Sequence, residues 1–277
     1  MQRILMVYNS GAGSTKTIVD IYSFLLEKYH LDIMSVSASF DYSVICDYEL
    51  IVFGFPCYHC DLPPLMEEFM ERMPSRSINK KAFVFITYGL YAGNTLRKFI
   101  KKCKEKNIYV ADYADYRSPA TDGILTFPPF KIMYRYERKI TKNILQDIEK
   151  VKMILSTDYF SHKLPRFKLY TILNYPNGLL GKKYKPQIKV REGVCTNCHL
   201  CINKCPRGCW SIGARHPVLD KSKCDSCYKC IHRCPQEALI FSTKTITKKR
   251  LNPSFYKVWK DRIMSEIKKK CVINGQY

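Results

Sequence analysis

The chain has 277 residues, of which 46% are apolar and 13% aromatic, and its 46 Lys plus Arg against 24 Asp plus Glu give a formal charge of +22. That length is enough for two domains. No apolar run is long enough to span a bilayer, the apolar run in MQRILMVYNS is too short and lacks the cleavage pattern of a signal peptide, and 14 cysteines then suit a reducing cytoplasm.

In chain order, residues 3–8 (RILMVY) read as a strand, Asn9 to Thr15 (NSGAGST) as a loop, and residues 16–28 as a helix. Strand, small-residue loop and helix make a phosphate cradle: glycines let backbone N–H groups approach an anion, hydroxyls donate, and the helix N-terminus adds favourable potential. A dinucleotide fingerprint would need a third glycine where Lys16 stands, and a P-loop would need glycines at Ser10 and Thr15. Residues 31–37 and 49–55 are the next strands, with Pro56 ending the second. Pro63 and Pro64 open a helix through Glu71. Residues 81–88 are a fourth strand, 94–106 an amphipathic helix, 107–116 a fifth strand, and 134–155 a long covering helix. Five strands alternating with helices predict an α/β fold with a parallel sheet covered on both faces.

These loops and their order resemble flavodoxin-like domains. The resemblance covers about 150 residues, one domain's length, and implies FMN at the carboxyl ends of the strands. It implies that Ser10, Gly11, Ala12, Gly13, Ser14 and Thr15 surround the FMN phosphate. Two further loops should face the ring. One supplies Pro56, Cys57 and Tyr58, and the other Thr87, Tyr88, Gly89, Tyr91 and Gly93. Cys57 and Cys60 flank His59 but precede the helix-opening prolines, so they read as small residues at a flavin edge rather than as a redox dithiol.

Charge then becomes uneven: residues 1–130 hold 14 basic and 14 acidic side chains, whereas 131–277 hold 32 and 10. Residues 156–188 form a basic connector, with Pro165, Pro176, Pro186, Gly178 and Gly181 and enough apolar side chains to pack as an ordered, partly helical segment. It is expected to set the spacing between the units it joins.

Residues 189–242 contain Cys195, Cys198, Cys201, Cys205 and Pro206, and the pattern returns 29 residues later as Cys224, Cys227, Cys230, Cys234 and Pro235. C-x2-C-x2-C-x3-C-P is the bacterial run for [4Fe-4S] ligation, in which the fourth cysteine ligates the other cluster. One cluster is therefore expected on Cys195, Cys198, Cys201 and Cys234, and a second on Cys224, Cys227, Cys230 and Cys205. Zinc ribbons separate their cysteine pairs by longer loops, and cysteines this close seldom meet disulfide geometry. His199 and Tyr228 stand where a glycine is common in such runs, and Cys209 with Trp210 replaces a small-aliphatic pair.

Residues 243–277 form a basic tail with Phe255, Val258, Trp259, Ile263 and Ile267 at helical spacing, an apolar stripe suited to packing. Its other face suits an acidic redox protein or, alternatively, an anionic lipid surface at the membrane periphery. Nucleic acid is disfavoured because no reading motif accompanies the charge. With domains at 1–155 and 189–242, the whole chain resembles flavodoxin and ferredoxin fusion proteins of anaerobes. That resemblance implies an electron carrier with two [4Fe-4S] clusters and FMN. The alternatives are an FMN-dependent reductase and a flavin-free docking module.

Overall fold

The computed structural model describes residues 2–37, 39–74, 79–126, 130–157, 162–173, 188–241 and 249–273. Strands β1 (Arg3–Tyr8), β2 (His30–Ser35), β3 (Leu50–Pro56), β4 (Lys80–Tyr88) and β5 (Ile108–Arg117) make one parallel sheet in the order β2-β1-β3-β4-β5. That order is the flavodoxin-like one, with its switch point beside β1. The fold class expected for the first half is thus the observed one.

Residue-by-residue alternation divides the strands between two cores. Leu5, Val7, Ile51, Phe53, Val84 and Ile86 face α2 (Pro64–Arg72) and α3 (Thr95–Glu105). Ile4, Met6, Leu50, Val52, Phe83 and Phe85 face α1 (Ser14–Leu25). Both rows of β1, β3 and β4 are buried, which is why those strands read as continuous apolar runs. Gly54 has a packing reason: a Cβ there would stand 2.3 Å from Phe85 Cζ.

After β5 come a helical turn α4 (Gly123–Thr126) and a 3-10 turn at Lys131–Tyr134. The covering helix α5 (Ile140–Ser156) begins at Ile140, not at Tyr134 as the periodicity predicts. Arg135 is extended, and Tyr136 turns into the core to donate its hydroxyl to the Ser14 carbonyl at 3.0 Å.

The described part of the connector, residues 162–173, packs on the first domain. Lys163 N–H bonds to the Val110 carbonyl at 2.9 Å, Arg97 reaches the Pro165 carbonyl at 2.7 Å, and Asn94 pairs with Lys168, so residues 162–168 lie along β5 and α3 before the turn α6 (Tyr170–Leu173). Residues 174–187, with Pro176 and Pro186, lie outside the described residues.

The cysteine unit contains β6 (Ile188–Val190), α7 (Leu200–Asn203), β7 (Trp210–Ser211), β8 (Val218–Leu219), α8 (Lys229–Arg233) and β9 (Leu239–Phe241). β6 pairs antiparallel with β9, and β7 with β8. The last helix, α9 (Pro253–Ile273), returns to the flavodoxin-like domain. Ile263, Ile267 and Cys271 join the core beneath α1 and α5, each large aliphatic side chain contributing about 1.5–3 kcal/mol of burial. Thr141 donates to Glu266 at 2.6 Å across the same contact. The buried line runs through Tyr256, Ile263, Ile267 and Cys271, whereas Val258 is 68% exposed. The apolar stripe of this helix thus packs on the first domain.

Candidate functional site

A cleft open to solvent, with an inner volume of about 50 Å³, lies at the carboxyl ends of β1, β3, β4 and β5. Gly11, Ala12, Ser14 and Thr15 of the first loop line it, followed by Pro56, Cys57, Tyr58 and His59, and then by Thr87, Tyr88 and Gly89. The loop from Ser118 to Asp122 closes one side, and Ser226 and Tyr228 of the cysteine unit close another. Parallel strands deliver these loops to one end of the sheet because every strand ends there.

Of the residues expected to gather here, four do not line this cavity. Ser10 opens instead onto a neighbouring cleft, with its Oγ accepting from Lys16 N–H at 3.3 Å. Gly13 lies beneath the Tyr256 ring, where a Cβ would be 2.6 Å from Cδ2. Gly93 packs against Cys60, and Tyr91 is 62% exposed with its ring 6.1 Å from that of Tyr170. Tyr91 therefore faces the connector.

The loop hydroxyls have protein partners. Ser14 Oγ donates to the Pro119 carbonyl at 3.3 Å or shares a hydrogen with Tyr256 Oη at 3.0 Å, and Thr15 Oγ1 lies 2.8 Å from Thr87 Oγ1. Tyr58 Oη is the contrasting group: it is buried at the cavity wall, and among the described residues it has no hydrogen-bond partner. A buried unpaired hydroxyl costs about 1–3 kcal/mol, so a polar ligand atom beside it would recover that cost. Burial is the main reason its phenol is held well above its ordinary pKa, with Cys227 the largest charge effect. Cys57 is not an activated thiol. Burial pushes it up to about 12, although its 3.1 Å contact with Thr95 Oγ1 opposes the shift.

The cysteine unit carries a second, smaller cavity, of about 30 Å³. Cys195, Cys198, Cys201 and Cys234 all line it, the four thiols that the crossing rule groups together, and Cys230 touches it too. Cys205 belongs electrostatically with the other run: after burial, Cys224 and Cys205 are the largest charge effects pushing Cys227 up to about 12. Among the described residues no three His, Cys, Asp or Glu side chains meet closely enough to hold a single ion.

The two runs share a backbone conformation as well as a spacing. Asn197, His199, Ser226 and Tyr228 all have left-handed φ, at 53°, 56°, 59° and 53°, and the last two are the repeat equivalents of the first two. This explains why glycine is common at the second position of each pair. Backbone N–H groups point at sulfur in both halves: Cys209 to Cys205 at 3.4 Å and its repeat equivalent Ala238 to Cys234 at 3.2 Å.

Three contacts fasten this unit beside the first cavity. A Cβ on Gly11 would stand 3.0 Å from Tyr58 Oη and 3.1 Å from the Cys227 carbonyl oxygen. Arg207 makes two 2.6 Å bonds to Glu68 on α2 and a 3.2 Å ion pair to Asp225. His232, fully buried, accepts from Leu251 N–H through Nδ1 at 3.2 Å and donates through Nε2 to the Thr121 carbonyl at 2.9 Å. Burial lowers its pKa to about 4, keeping the ring in the neutral form those two bonds need. Tyr256, His232 and Arg207 are not legible as site residues in the sequence. Each joins segments more than 100 residues apart.

No family model matches the chain, and no curated protein matches it in sequence. Solved structures do match part of it. A flavodoxin from the domain Archaea is 18% identical over 55% of this chain and 99% of its own, with a TM-score of 0.37. Oxidised flavodoxin 1 from Bacillus cereus is 14% identical over 57% and 100%, at 0.39, and two-electron reduced Megasphaera elsdenii flavodoxin is 17% identical over 40% and 84%, at 0.38. The flavodoxin-like assignment itself rests on the strand order and on the loops gathered at its switch point.

Proposed function

We propose that the chain is a cytoplasmic electron-transfer protein that binds FMN in the cavity above the sheet and two [4Fe-4S] clusters on its cysteine runs. The observation that carries this reading is the shared wall: Ser226 and Tyr228 of the second run line the same cavity as the flavodoxin-like loops, and the Cys227 carbonyl abuts Gly11. In the second run the cysteines assigned to a cluster therefore stand directly beside the proposed flavin site.

The residues fit the groups. Gly11 and Ala12, with the α1 N-terminus, leave backbone donors for a phosphate. Tyr58 Oη supplies a buried donor for a polar ring atom, and Tyr58 and Tyr88 supply aromatic surface. Tyr91 and Gly93 have no assigned contact with the ring. Cys195, Cys198, Cys201 and Cys234 surround a space rather than a point, which suits a multi-iron cluster better than a mononuclear ion. When bound, the clusters move single electrons and FMN takes one or two, so together they convert between the two kinds of traffic. The basic second half suits an acidic redox protein as partner. Among the described residues no helix is long and apolar enough to cross a membrane.

A second reading, an FMN-dependent reductase, is favoured by His59 and Asp122, two titratable side chains on the cavity wall. Anaerobic purification with absorbance spectra and assays for iron, sulfide and FMN tests both. About eight irons and one FMN per chain is the expected result. Iron without FMN at any loading leaves only a docking module. Ser14→Leu and Thr15→Leu should abolish FMN retention with iron unchanged; unaltered FMN content refutes the loop assignment. Turnover of small-molecule acceptors by the loaded protein separates reductase from carrier.

A further inference from the structure

Beside the cavity above the sheet lies a larger cleft, of about 430 Å³, between the carboxyl ends of β1 and β2 and the cysteine unit. Lys16, Lys204, Lys229 and Arg233 line it, and no Asp or Glu does. Lys16 is ion-paired to Asp20 outside the cleft wall, while Arg233 Nε is buried with no hydrogen-bond partner among the described residues. The lining also offers neutral donors: Ser10, Ser35 and Ser37 hydroxyls and the Asn9 amide. Four cations and a set of neutral donors lining one cleft are well matched to an oxyanion.

We propose that this cleft binds a small polyanion whose charge is carried by phosphate groups, of about nucleotide size, at a site separate from the flavin cavity. Tetrahedral phosphate oxygens accept from several directions at once, which suits donors arriving from β1, β2, α7 and α8; a planar carboxylate uses fewer of them. The volume of about 430 Å³ argues against a lone inorganic ion, because it falls in the range of sites that bury a whole small molecule. Its floor includes Cys205, so the ligand would lie against the cysteine unit.

Lys204, Lys229 and Arg233 also line the cavity of the first cysteine run, so their charges have a competing use as counter-charges to thiolates. The test separates the two. Calorimetric titration of the full chain, purified anaerobically and loaded with its cofactors, would use pyrophosphate, ADP and citrate as probes at physiological salt. The expected result is pyrophosphate or ADP binding with Kd below about 100 µM, at least about tenfold tighter than citrate, and unaffected by excess FMN. Lys229→Gln and Arg233→Gln should each weaken it about tenfold or more, the loss of one charge-assisted contact. Lys16→Gln, on α1 and distant in sequence from the cysteines, should weaken it in the same direction with iron content unchanged. Binding weaker than about 1 mM, citrate binding as tightly as phosphate, or displacement by FMN would overturn the proposal. So would variants that keep pyrophosphate affinity and alter only the reduction potentials.

Discussion

Replacing His232 by Phe keeps a ring of similar size in a fully buried position and removes both of its hydrogen bonds. Leu251 N–H and the Thr121 carbonyl are then left without their partner beside a fully buried ring. Each buried orphan costs about 1–3 kcal/mol, so opening the junction between the cysteine unit, the Ser118–Asp122 loop and the start of the last helix becomes easier by about 2–6 kcal/mol. At tenfold per 1.4 kcal/mol, the Leu251 amide should lose protection by about 30-fold to 20,000-fold in native-state hydrogen exchange. Peptides from β1 and β3, in the centre of the sheet, should exchange as before. Measured by mass spectrometry on peptides covering 249–253 and 119–125, the loss must be confined to the junction. Unchanged Leu251 protection, or a uniform loss across the sheet, would refute the idea that His232 is a local clasp.

Arg207 and Glu68 should show coupling of about 1–2 kcal/mol in a double-mutant cycle of Arg207→Gln and Glu68→Gln read by the same exchange experiment, discounted because Glu68 is 38% exposed; additive single-mutant effects would remove the pair as a docking contact. Arg207, chiefly through its hydrogen bonds, holds the Glu68 carboxyl below its ordinary pKa. This stability is therefore present above the unfolded carboxyl pKa and lost as pH falls through the lower folded one, a loss that Glu68→Gln should abolish. Gly54→Ala should destabilise the sheet by about 1–3 kcal/mol, since the new Cβ meets Phe85 Cζ within a core ring stack, and Phe85→Leu in the same chain should recover part of it; thermal melts of the four proteins decide this. Cys205→Ser should lower iron from about eight to about four per chain by removing the cluster of the second run, with the first retained, as seen by iron assay and electron paramagnetic resonance.

The sheet was readable because β1, β3 and β4 are buried on both faces, so their apolar runs are continuous, and because each strand is followed by a helix-length amphipathic pattern. The start of α5 was not, because the sequence periodicity runs on through Tyr136, whose burial answers to a carbonyl at Ser14 rather than to helix geometry. Local signals likewise located Gly11 to Thr15 and the eight spaced cysteines. They do not reveal the covering of the phosphate loop by Tyr256, or the turn of Tyr91 toward Tyr170, since both depend on where distant segments pack. For α9 the expected stripe holds at Trp259, Ile263 and Ile267, and the miss is local: Val258 is exposed and Tyr256 buried, a choice that only the surfaces packed against the helix make.

Gly11 shows how one local feature serves two ends. Read alone, its lack of a side chain makes room for a phosphate. In the folded chain that room is bounded by Tyr58 Oη at 3.0 Å and by the Cys227 carbonyl at 3.1 Å from where a Cβ would be. Gly11→Ala therefore presses on a backbone carbonyl of the second cysteine run, which is anchored by its neighbours, as well as on a tyrosine hydroxyl that can give way. If the glycine serves only the anion, Gly11→Ala should weaken FMN retention and leave the junction intact. If it also sets the approach of the cysteine unit, Leu251 should lose part of its exchange protection in that variant, in the same direction as with His232→Phe. The observed contacts point to the second result, because at 3.1 Å the Cys227 carbonyl must itself give by a few tenths of an ångström, which movement of the Tyr58 hydroxyl does not relieve.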